Sequence, residues 1–234
     1  MGGLVVVVPA RDEEQLLERC LAAVSLAADR LRARHRGVVA EVVVVADRCV
    51  DSTADIARGA GAHVLEIDAG CVGAARRAGV EAGVALLPPG PPHQIWVAST
   101  DADSRVPPSW LEHQVDLAVR GTRLVIGRVT PDREDISEAA WTRWHKRHAS
   151  LEVDAHIHGA NLGFRLDDYL AAGGWPRLHE HEDQHLANAL LAAGVPAAPG
   201  LEVVTSGRLR GRVQGGFSGY LRMIERAEPE IDFS

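Results

Sequence analysis

Aromatic and sulfur-containing side chains are scarce in this sequence. Aromatic residues make up 4% of the 234 positions, and the only cysteines are Cys20, Cys49 and Cys71. With so few aromatic rings, a core depends on Val, Leu, Ile and Ala, a composition typical of buried parallel strands covered by helices. No cysteine belongs to a C-x-x-C pair, which argues against a disulfide framework or a structural zinc knuckle and favours a reducing compartment.

Targeting and membrane signals are also missing. No basic n-region or cleavage site precedes the first apolar segment, and no apolar run approaches the roughly 18 residues that a membrane span needs. The formal net charge of -7 argues against a non-specific binder of nucleic acid or of anionic membranes. These absences predict a cytoplasmic protein with no transmembrane segment and no nucleic-acid partner.

Two common nucleotide-binding motifs are absent. No G-x-G-x-x-G follows the first apolar segment, and no G-x-x-x-x-G-K-[ST] occurs anywhere in the chain. A Rossmann dehydrogenase and a P-loop NTPase are therefore disfavoured.

The sequence does contain short β-branched runs that alternate with amphipathic segments. Strand and helix alternate four times in about the first 120 residues, and right-handed crossovers turn such a pattern into a parallel sheet with helices on both faces. No internal repeat or long linker divides the chain, which predicts a single α/β domain over residues 1–234 with a mostly parallel sheet. The predicted strands are 4–8, 42–45, 62–67, 95–100, 124–129, 157–164 and 201–205, and the predicted helices include 53–60, 73–87, 137–151 and 183–193.

The residues that follow the predicted strands are candidates for a site, because ligands of open parallel sheets bind beyond the carboxyl ends of the strands. Asp101 and Asp103 follow the fourth strand. Carboxylates two residues apart in an extended stretch can face one hard cation, and Mg²⁺ or Mn²⁺ takes such ligands together with a diphosphate. The alternative for either aspartate is a turn or a helix N-cap.

Two further strand ends carry polar residues. Asp47 follows the second strand, where its carboxylate can accept from a base N–H or a ribose hydroxyl, and the alternative is an Asx-turn. Gly73 opens a helix that continues with Arg76 and Arg77. Free N–H groups at that helix end favour a phosphate, whereas the arginines alternatively form a solvated face.

The second half of the chain carries an acidic pair among histidines. Glu182 and Asp183 lie between His181 and His185, and a carboxylate there is a candidate general base or, for Asp183, a helix N-cap. A zinc site is the rival interpretation, since His181 and His185 share a helix face and His156 and His158 share a strand face. No H-E-x-x-H or comparable signature supports it.

Together these segments resemble the family-2, GT-A-type glycosyltransferases over nearly the whole length. The segments that carry the resemblance are residues 5–14, 41–53, 73–79, 100–104, 158–165, 173–175 and 182–183. The resemblance implies a GT-A fold, with a nucleotide-binding half over residues 1–105 and an acceptor half over 106–234. It also implies a nucleoside-diphosphate-sugar donor and Mn²⁺ or Mg²⁺. The chain departs from the family at Asp12, where an Asn is usual, and at Asp47-Arg48 in place of two adjacent acids, so the nucleotide base stays open.

The resemblance also assigns roles to individual residues. Asp183 would be the catalytic base of an inverting displacement, and Asp103, with Asp101, would hold the metal. By the resemblance, the residues for the nucleotide-sugar would be Pro9, Ala10, Arg11, Glu13, Asp47, Asp101, Ala102 and Asp103. The glycine and arginine patterns of the sequence add Gly73, Arg76, Arg208 and Arg210 to this set. The acceptor is predicted to lie between His158, Asn161, Trp175 and Glu182, because an indole beside polar side chains is a common platform for a hydroxylated ring, and the alternative for Trp175 is the core.

A glycine-rich segment at residues 206–216 is predicted to be a flexible lid. Arg208, Arg210 and Arg212 alternate, so an extended backbone would point them the same way, towards a departing diphosphate. The alternative is a solvated basic loop that pairs with Glu225 or Glu228.

Two other functions stay open at this point. A sugar nucleotidyltransferase would carry a glycine-rich, basic first loop, which residues 9–13 do not match. A non-catalytic nucleotide-sugar binder would not need Asp183. The acceptor is predicted to be a small soluble molecule, and the oligomeric state, including a homodimer, is open.

Overall fold

The computed structural model describes residues 1–148, 157–209, 211 and 216–226. The strands in these ranges are β1 (Gly3–Ala10), β2 (Val39–Asp47), β3 (His63–Ile67), β4 (Ile95–Ser99), β5 (Ser104–Arg105), β6 (Leu124–Ile126), β7 (Val129–Pro131), β8 (Leu162–Arg165), β9 (Ala197–Pro199) and β10 (Val203–Thr205). The α-helices are α1 (Leu17–Arg34), α2 (Thr53–Gly59), α3 (Val72–Leu86), α4 (Trp110–Val119), α5 (Glu138–His148), α6 (Leu166–Ala171), α7 (Glu182–Ala192) and α8 (Phe217–Arg226).

The central sheet of the described residues has seven strands in the order β3-β2-β1-β4-β8-β6-β9. Each adjacent pair is parallel except for β8, which runs antiparallel to both β4 and β6. The predicted α/β fold with a mostly parallel sheet is therefore confirmed.

Strand β1 lies inside this sheet, between β2 and β4, and both of its faces are apolar. Every side chain from Leu4 to Val8 is 0% exposed. Since successive side chains point to opposite faces, Leu4, Val6 and Val8 join a cluster with α1 and α4, and Val5 and Val7 join a cluster on the side of α3, α6 and α7. This burial on both faces explains why β1 reads as a continuous apolar run.

Helix α3 packs unusually close to the sheet through two glycines. A Cβ at Gly79 would lie 2.5 Å from Val7 Cγ1, and one at Gly83 would lie 2.2 Å from Val5 Cγ1. Larger side chains would push the helix away from β1. The close approach brings the first turns of α3 against the carboxyl ends of the central strands.

A smaller sheet, in the order β5-β10-β7, brings the C-terminal region to the same edge. Thr205 of β10 pairs with Ser104 of β5, which directly follows Asp103. The backbone N–H of Ser206 donates to the carbonyl of Asp103 at 3.2 Å. The residues that follow β10 consequently lie beside the carboxylates that follow β4.

Some predicted elements differ from the observed ones in the second half. Residues 124–129 form no single strand, because β6 and β7 belong to different sheets and the chain crosses between them at Gly127. The strand predicted from residue 157 begins at Leu162, since Gly159–Asn161 forms a 3₁₀ turn. The short elements β5, β9 and α6 carry too little periodic pattern to be predicted.

Helices α5 and α8 pack on each other through Ala140, Trp144, Leu221 and Ile224. The predicted helix over 137–151 is thus observed as Glu138–His148, and its last residues lie outside the described ranges. None of the helices in the described ranges is both long and apolar enough to cross a bilayer.

Candidate active site

A cleft of about 990 Å³ lies at the carboxyl ends of β1, β2 and β4 and extends to the start of α7 and to α8. This is the edge at which the sequence predicts a site. The predicted residues that line it are Pro9, Ala10, Arg11, Glu13, Asp47, Arg76, Asp101, Ala102, Asp103, His158, Glu182, Asp183 and Arg208.

The two aspartates after β4 have different surroundings. Asp101 Oδ1 accepts from Arg76 Nη2 at 2.6 Å. Asp103 Oδ1 accepts from the hydroxyl of Thr205 at 3.1 Å, and Asp103 Oδ2 lies 3.0 Å from Arg208 Nη2. Burial and the Asp101 carboxylate raise the pKa of Asp103 to about 6, although Arg208 opposes that shift. Since these surroundings disfavour the charged carboxylate of Asp103, a cation beside it would stabilise that charged form.

Arg76 of α3 connects Asp101, which follows β4, to Glu182, at the start of α7. Its side chain is 3% exposed, Nη1 donates to Ser99 at 2.6 Å, and Nε donates to Glu182 at 3.1 Å. Its guanidinium also lies 5.3 Å from the ring centroid of Trp175. Burial lowers the pKa of Arg76, but Asp101 and Glu182 raise it more, so the guanidinium stays charged. Removing one partner of a buried pair costs about 3–5 kcal/mol, because the other charge stays buried.

Arg76 therefore has a structural role that the sequence did not indicate. The solvated-face alternative is wrong for Arg76, whose side chain is 3% exposed. It is correct for Arg77, which is 43% exposed and pairs with Glu81 at 3.3 Å. A contact between Arg76 and the nucleotide stays a prediction.

Arg208 closes over the carboxylates from the opposite side of the cleft. Its Nη1 and Nη2 donate to the two carboxylate oxygens of Glu13 at 2.7 and 2.6 Å. The Glu13 hydrogen bond raises the pKa of Arg208. Arg208 thus bridges Glu13 and Asp103. Its guanidinium places a positive charge at the point where a metal–diphosphate is predicted.

Only part of the predicted lid falls in the described ranges. Ser206 Oγ and the N–H of Gly207 both donate to Asp135 Oδ2, at 3.0 and 2.8 Å, so the segment begins from an anchored point. Arg210 and Arg212 lie outside the described residues.

Asp47 organises the loop before α3. Its carboxylate accepts from the backbone N–H groups of Ala69, Gly70 and Cys71 at 2.8, 2.8 and 2.9 Å. These bonds explain why a buried carboxylate is tolerated at the end of β2. A contact between Asp47 and a base or ribose stays a prediction, now beside this structural role.

Asp183 lies in the first turn of α7. The helix begins at Glu182 after His181, which has a left-handed φ of 64°, so the N-cap alternative for Asp183 is wrong. Its Oδ2 accepts from the N–H of Gly159 at 2.7 Å, and its Oδ1 accepts from the N–H of Gln184 at 2.7 Å. Two backbone donors therefore hold the carboxylate in place at the cleft.

Two ionisable side chains lie near Asp183, the buried Glu182 and the partly exposed His158. Burial raises the pKa of Glu182, while Arg76 opposes the shift. Burial lowers the pKa of His158, although Asp183 and Asp101 act in the other direction. His158 is thus shifted towards the neutral form.

Three predicted ligand contacts are wrong. Trp175 is 0% exposed and packs in the core with its ring centroid 5.9 Å from that of Phe164, so the core alternative is correct. Asn161 is 0% exposed, and it accepts from Trp110 Nε1 at 2.9 Å and donates to two backbone carbonyls. The N–H of Gly73 donates to the carbonyl of Leu178 at 3.2 Å and is not available to a phosphate.

The rival zinc site gains no support from the described residues. His185 Nδ1 lies 2.8 Å from the carbonyl of His181 in its own helix, and His156 lies outside the described ranges. Within those ranges, the one group of three close potential metal ligands is Asp12, Cys49 and Asp51.

The Asp12–Cys49–Asp51 group connects two loops. Asp12 Oδ1 accepts from the N–H of Val50 at 2.8 Å, and Asp51 Oδ1 accepts from the N–H of Thr53 at 3.0 Å. These hydrogen bonds explain the positions of the two carboxylates without a metal ion.

Sequence reasoning missed one wall of the cleft. Trp144 and His148 of α5 and Phe217 and Tyr220 of α8 line it. The available signals were the Trp- and His-rich pattern over residues 137–151 and the amphipathic pattern of the segment that ends near Ile224. Neither pattern shows which element the apolar face contacts.

The sequence matches the model of the family described as glycosyl transferase family 2 over residues 5–178. Among solved structures, the chain is similar to a mannosyltransferase from Pyrobaculum calidifontis in complex with GDP-Man and Mn²⁺, with 20% identity, a TM-score of 0.64 and coverage of 89% of this chain and 58% of that one. It is also similar to TarS from S. aureus, with 15% identity, a TM-score of 0.59 and coverage of 88% of this chain and 35% of that one.

A third similar structure is glucosyl-3-phosphoglycerate synthase from Mycobacterium tuberculosis in complex with Mn²⁺, UDP and glucosyl-3-phosphoglycerate. It has 16% identity and a TM-score of 0.55, and the match covers 94% of this chain and 76% of that one. At these identities the structures show a shared fold, and this chain spans 35% and 58% of the length of the first two. A search of curated protein sequences finds no match.

Proposed function

This chain belongs to glycosyl transferase family 2, and we propose that it transfers a sugar from a nucleoside-diphosphate-sugar to a hydroxyl group of a small acceptor. The observation that carries the proposal is that Asp101, Asp103 and Asp183 line one cleft. The Asp101–Arg76–Glu182 ion pairs join the two ends of that cleft. A donor and an acceptor bound at these ends would meet between them.

The side chains at the donor end fit a divalent ion. Asp103 and Asp101 offer the hard carboxylate oxygens that Mn²⁺ and Mg²⁺ prefer, and the guanidinium of Arg208 already lies 3.0 Å from Asp103. When bound, the ion would neutralise charge that develops on the departing diphosphate. The mannosyltransferase from Pyrobaculum calidifontis and the synthase from Mycobacterium tuberculosis, which were solved with Mn²⁺ and a nucleotide, support this choice.

The reaction we propose is a direct displacement with inversion. The acceptor oxygen attacks the anomeric carbon, the bond from that carbon to the diphosphate breaks, and Asp183 takes the acceptor proton. Asp183 suits this role because the backbone N–H groups of Gly159 and Gln184 hold its carboxylate in a fixed position at the cleft. General-base catalysis of this kind contributes about 10²–10⁴-fold.

Thermal unfolding with nucleotides tests the proposal. We expect UDP or GDP to raise the Tm when Mn²⁺ is present and to lose most of that effect in EDTA, because a ligand that binds the native state stabilises it by mass action. ATP and NAD⁺ with Mn²⁺ are the matched controls. If no nucleoside diphosphate or nucleotide-sugar stabilises the protein with Mn²⁺, the proposed function is wrong.

Replacing Arg208 is expected to strengthen the binding of Mn²⁺ alone and to weaken the binding of the Mn²⁺–nucleotide complex. We propose that Arg208 leaves Glu13 and Asp103 when the metal and diphosphate bind and then contacts the diphosphate. Arg208→Ala should let Mn²⁺ alone raise the Tm more than in the wild type, because the competing cation is gone. The variant should also bind the Mn²⁺–nucleotide complex more weakly, because a charge-assisted contact is lost.

The control for this comparison is Arg105→Ala. Arg105 donates to a buried aspartate, Asp132, at 2.6 Å, and neither residue lines the cleft. Equal Mn²⁺ shifts in the wild type and in Arg208→Ala would contradict the competition.

A further inference from the structure

Five rings from three parts of the chain form a continuous surface at the acceptor end of the cleft. We name this surface the aromatic wall, and it consists of Trp144, His148, His158, Phe217 and Tyr220. Trp144 stacks on His148 with centroids 3.7 Å apart, and it meets Phe217 and Tyr220 edge-on at 5.3 and 5.6 Å. His158 meets Phe217 edge-on at 5.8 Å, which continues the wall towards Asp183.

The wall is built on a packed base. Trp144 and His148 are four residues apart on α5, and Phe217 and Tyr220 are three residues apart on α8, so each pair shares one helix face. Beneath them, Leu221 and Ile224 are 1% and 0% exposed. Trp144 is buried, whereas the other four rings are partly exposed. The wall is therefore preformed and presents ring surface to the cleft.

Permanent cations are missing from this end of the cleft, as far as the described residues go. In the described part of the chain, the arginines that line the cleft are Arg11, Arg76 and Arg208, and no described lysine lines it. Arg11 follows β1 at the nucleotide end, Arg76 pairs with Asp101 and Glu182, and Arg208 pairs with Glu13 and Asp103. A phosphate or carboxylate bound against the wall would thus face Asp183 and Glu182, and no arginine or lysine of the described ranges lies there to neutralise it.

Among the described residues, most hydrogen-bonding side chains at this end, apart from the rings of the wall, come from one segment before and in the first turn of α7. They are His179, Glu180, His181, Glu182, Asp183 and Gln184, with Ser218 on α8. A monosaccharide carries hydroxyl groups around its whole ring, and each needs a partner when buried. A flat apolar body needs ring surface instead.

We propose that the acceptor is an uncharged hydroxylated aromatic compound, whose ring packs on the aromatic wall and whose hydroxyl faces Asp183. This inference rests on the proposed glycosyl transfer. The phenolic or alcoholic O–H proton passes to Asp183, the acceptor oxygen bonds to the anomeric carbon, and the nucleoside diphosphate departs with the electron pair of the broken C–O bond.

The test is equilibrium binding of three probes to the full chain with Mn²⁺ and the nucleoside diphosphate that stabilises it. The probes are 2-naphthol, glucose and 3-phosphoglycerate. We expect 2-naphthol to bind more tightly than the other two. Tighter binding of glucose or 3-phosphoglycerate would overturn the inference, and so would the absence of 2-naphthol binding.

Variants of α8 locate the site. Phe217→Ala and Tyr220→Ala are expected to weaken 2-naphthol binding about fivefold or more while leaving nucleotide binding unchanged. Met223→Ala, at a side chain 62% exposed on the same helix, is the matched control. If Phe217→Ala unfolds, Phe217→Leu takes its place, because leucine keeps the packing with Trp144. This variant should still weaken 2-naphthol binding.

Unchanged 2-naphthol affinity in all folded wall variants would overturn the inference. That outcome, with nucleotide and Mn²⁺ still bound, leaves the proposed function standing. Failure of nucleotide binding in the wild type would instead contradict the proposed function itself.

Discussion

Asp183→Asn is expected to lower turnover by about 10²-fold or more, with donor affinity close to that of the wild type. The amide keeps the size of the side chain and can still accept from Gly159 or from Gln184, but it cannot take a proton. Because Asp183 lines the cleft beside His158 and Glu182, the loss should fall on the chemical step. The measurement is the single-turnover rate of nucleoside-diphosphate release from the donor in the presence of acceptor.

Two further variants separate the loss of the base from a disturbed loop. Asp183→Ala removes the acceptors for both Gly159 and Gln184, so it should lower the Tm as well as the rate. Asp29→Asn, at an exposed carboxylate that pairs with Arg32 on α1, should change neither. Turnover near that of the wild type in Asp183→Asn, with chemistry rate-limiting, would show that another group is the base.

Asp103→Ala is expected to abolish the metal-dependent part of nucleotide binding, a loss of about 100-fold or more in affinity. The reason is that Asp103, which lies 3.0 Å from Arg208, is the carboxylate proposed as the direct metal ligand. The measurement is calorimetric titration of the nucleoside diphosphate with Mn²⁺ and with EDTA. In the variant, the two titrations should give nearly the same affinity.

The matched control is Asp132→Ala. Asp132 is also buried, at 5% exposed, and also pairs with an arginine, but it lies outside the cleft. It should lower stability without changing the effect of Mn²⁺ on nucleotide binding. If wild-type protein binds the nucleotide equally well in EDTA, the metal proposal fails whatever the variant does.

The fold of the first half could be predicted because its signals are local. The run from Leu4 to Val8 predicts a buried strand. The helical spacing of the apolar residues after it predicts a helix, and these residues are Leu16, Leu17, Cys20, Leu21 and Val24. Asp101 and Asp103 could be predicted as candidates from their position after β4, since parallel strands end at one edge. The second half was harder, because β5 has two residues and the crossover at Gly127 leaves no periodic pattern.

The sequence predicted which residues line the candidate site better than it predicted what those residues contact. Trp175 and Asn161 stand near motif residues in the sequence, yet both are enclosed by segments distant in the chain. The sequence around a tryptophan or an asparagine has the same local pattern whether the side chain lies in the core or at a surface. What distinguishes the two is whether another element covers the side chain, which depends on the packing of β8, α4 and α6.

The sequence by itself determined the α/β class, the order of the early strands and helices, and the carboxylates at the strand ends, because side-chain period and turn chemistry act over a few residues. Only the tertiary structure decided that Arg76 pairs with Glu182, 106 residues later, and that Arg208 pairs with Glu13, 195 residues earlier. It also decided that α5 and α8 bring their rings together beside Asp183. Such pairings depend on how the whole chain closes, since a buried charge or ring is stabilised by partners that no local pattern specifies.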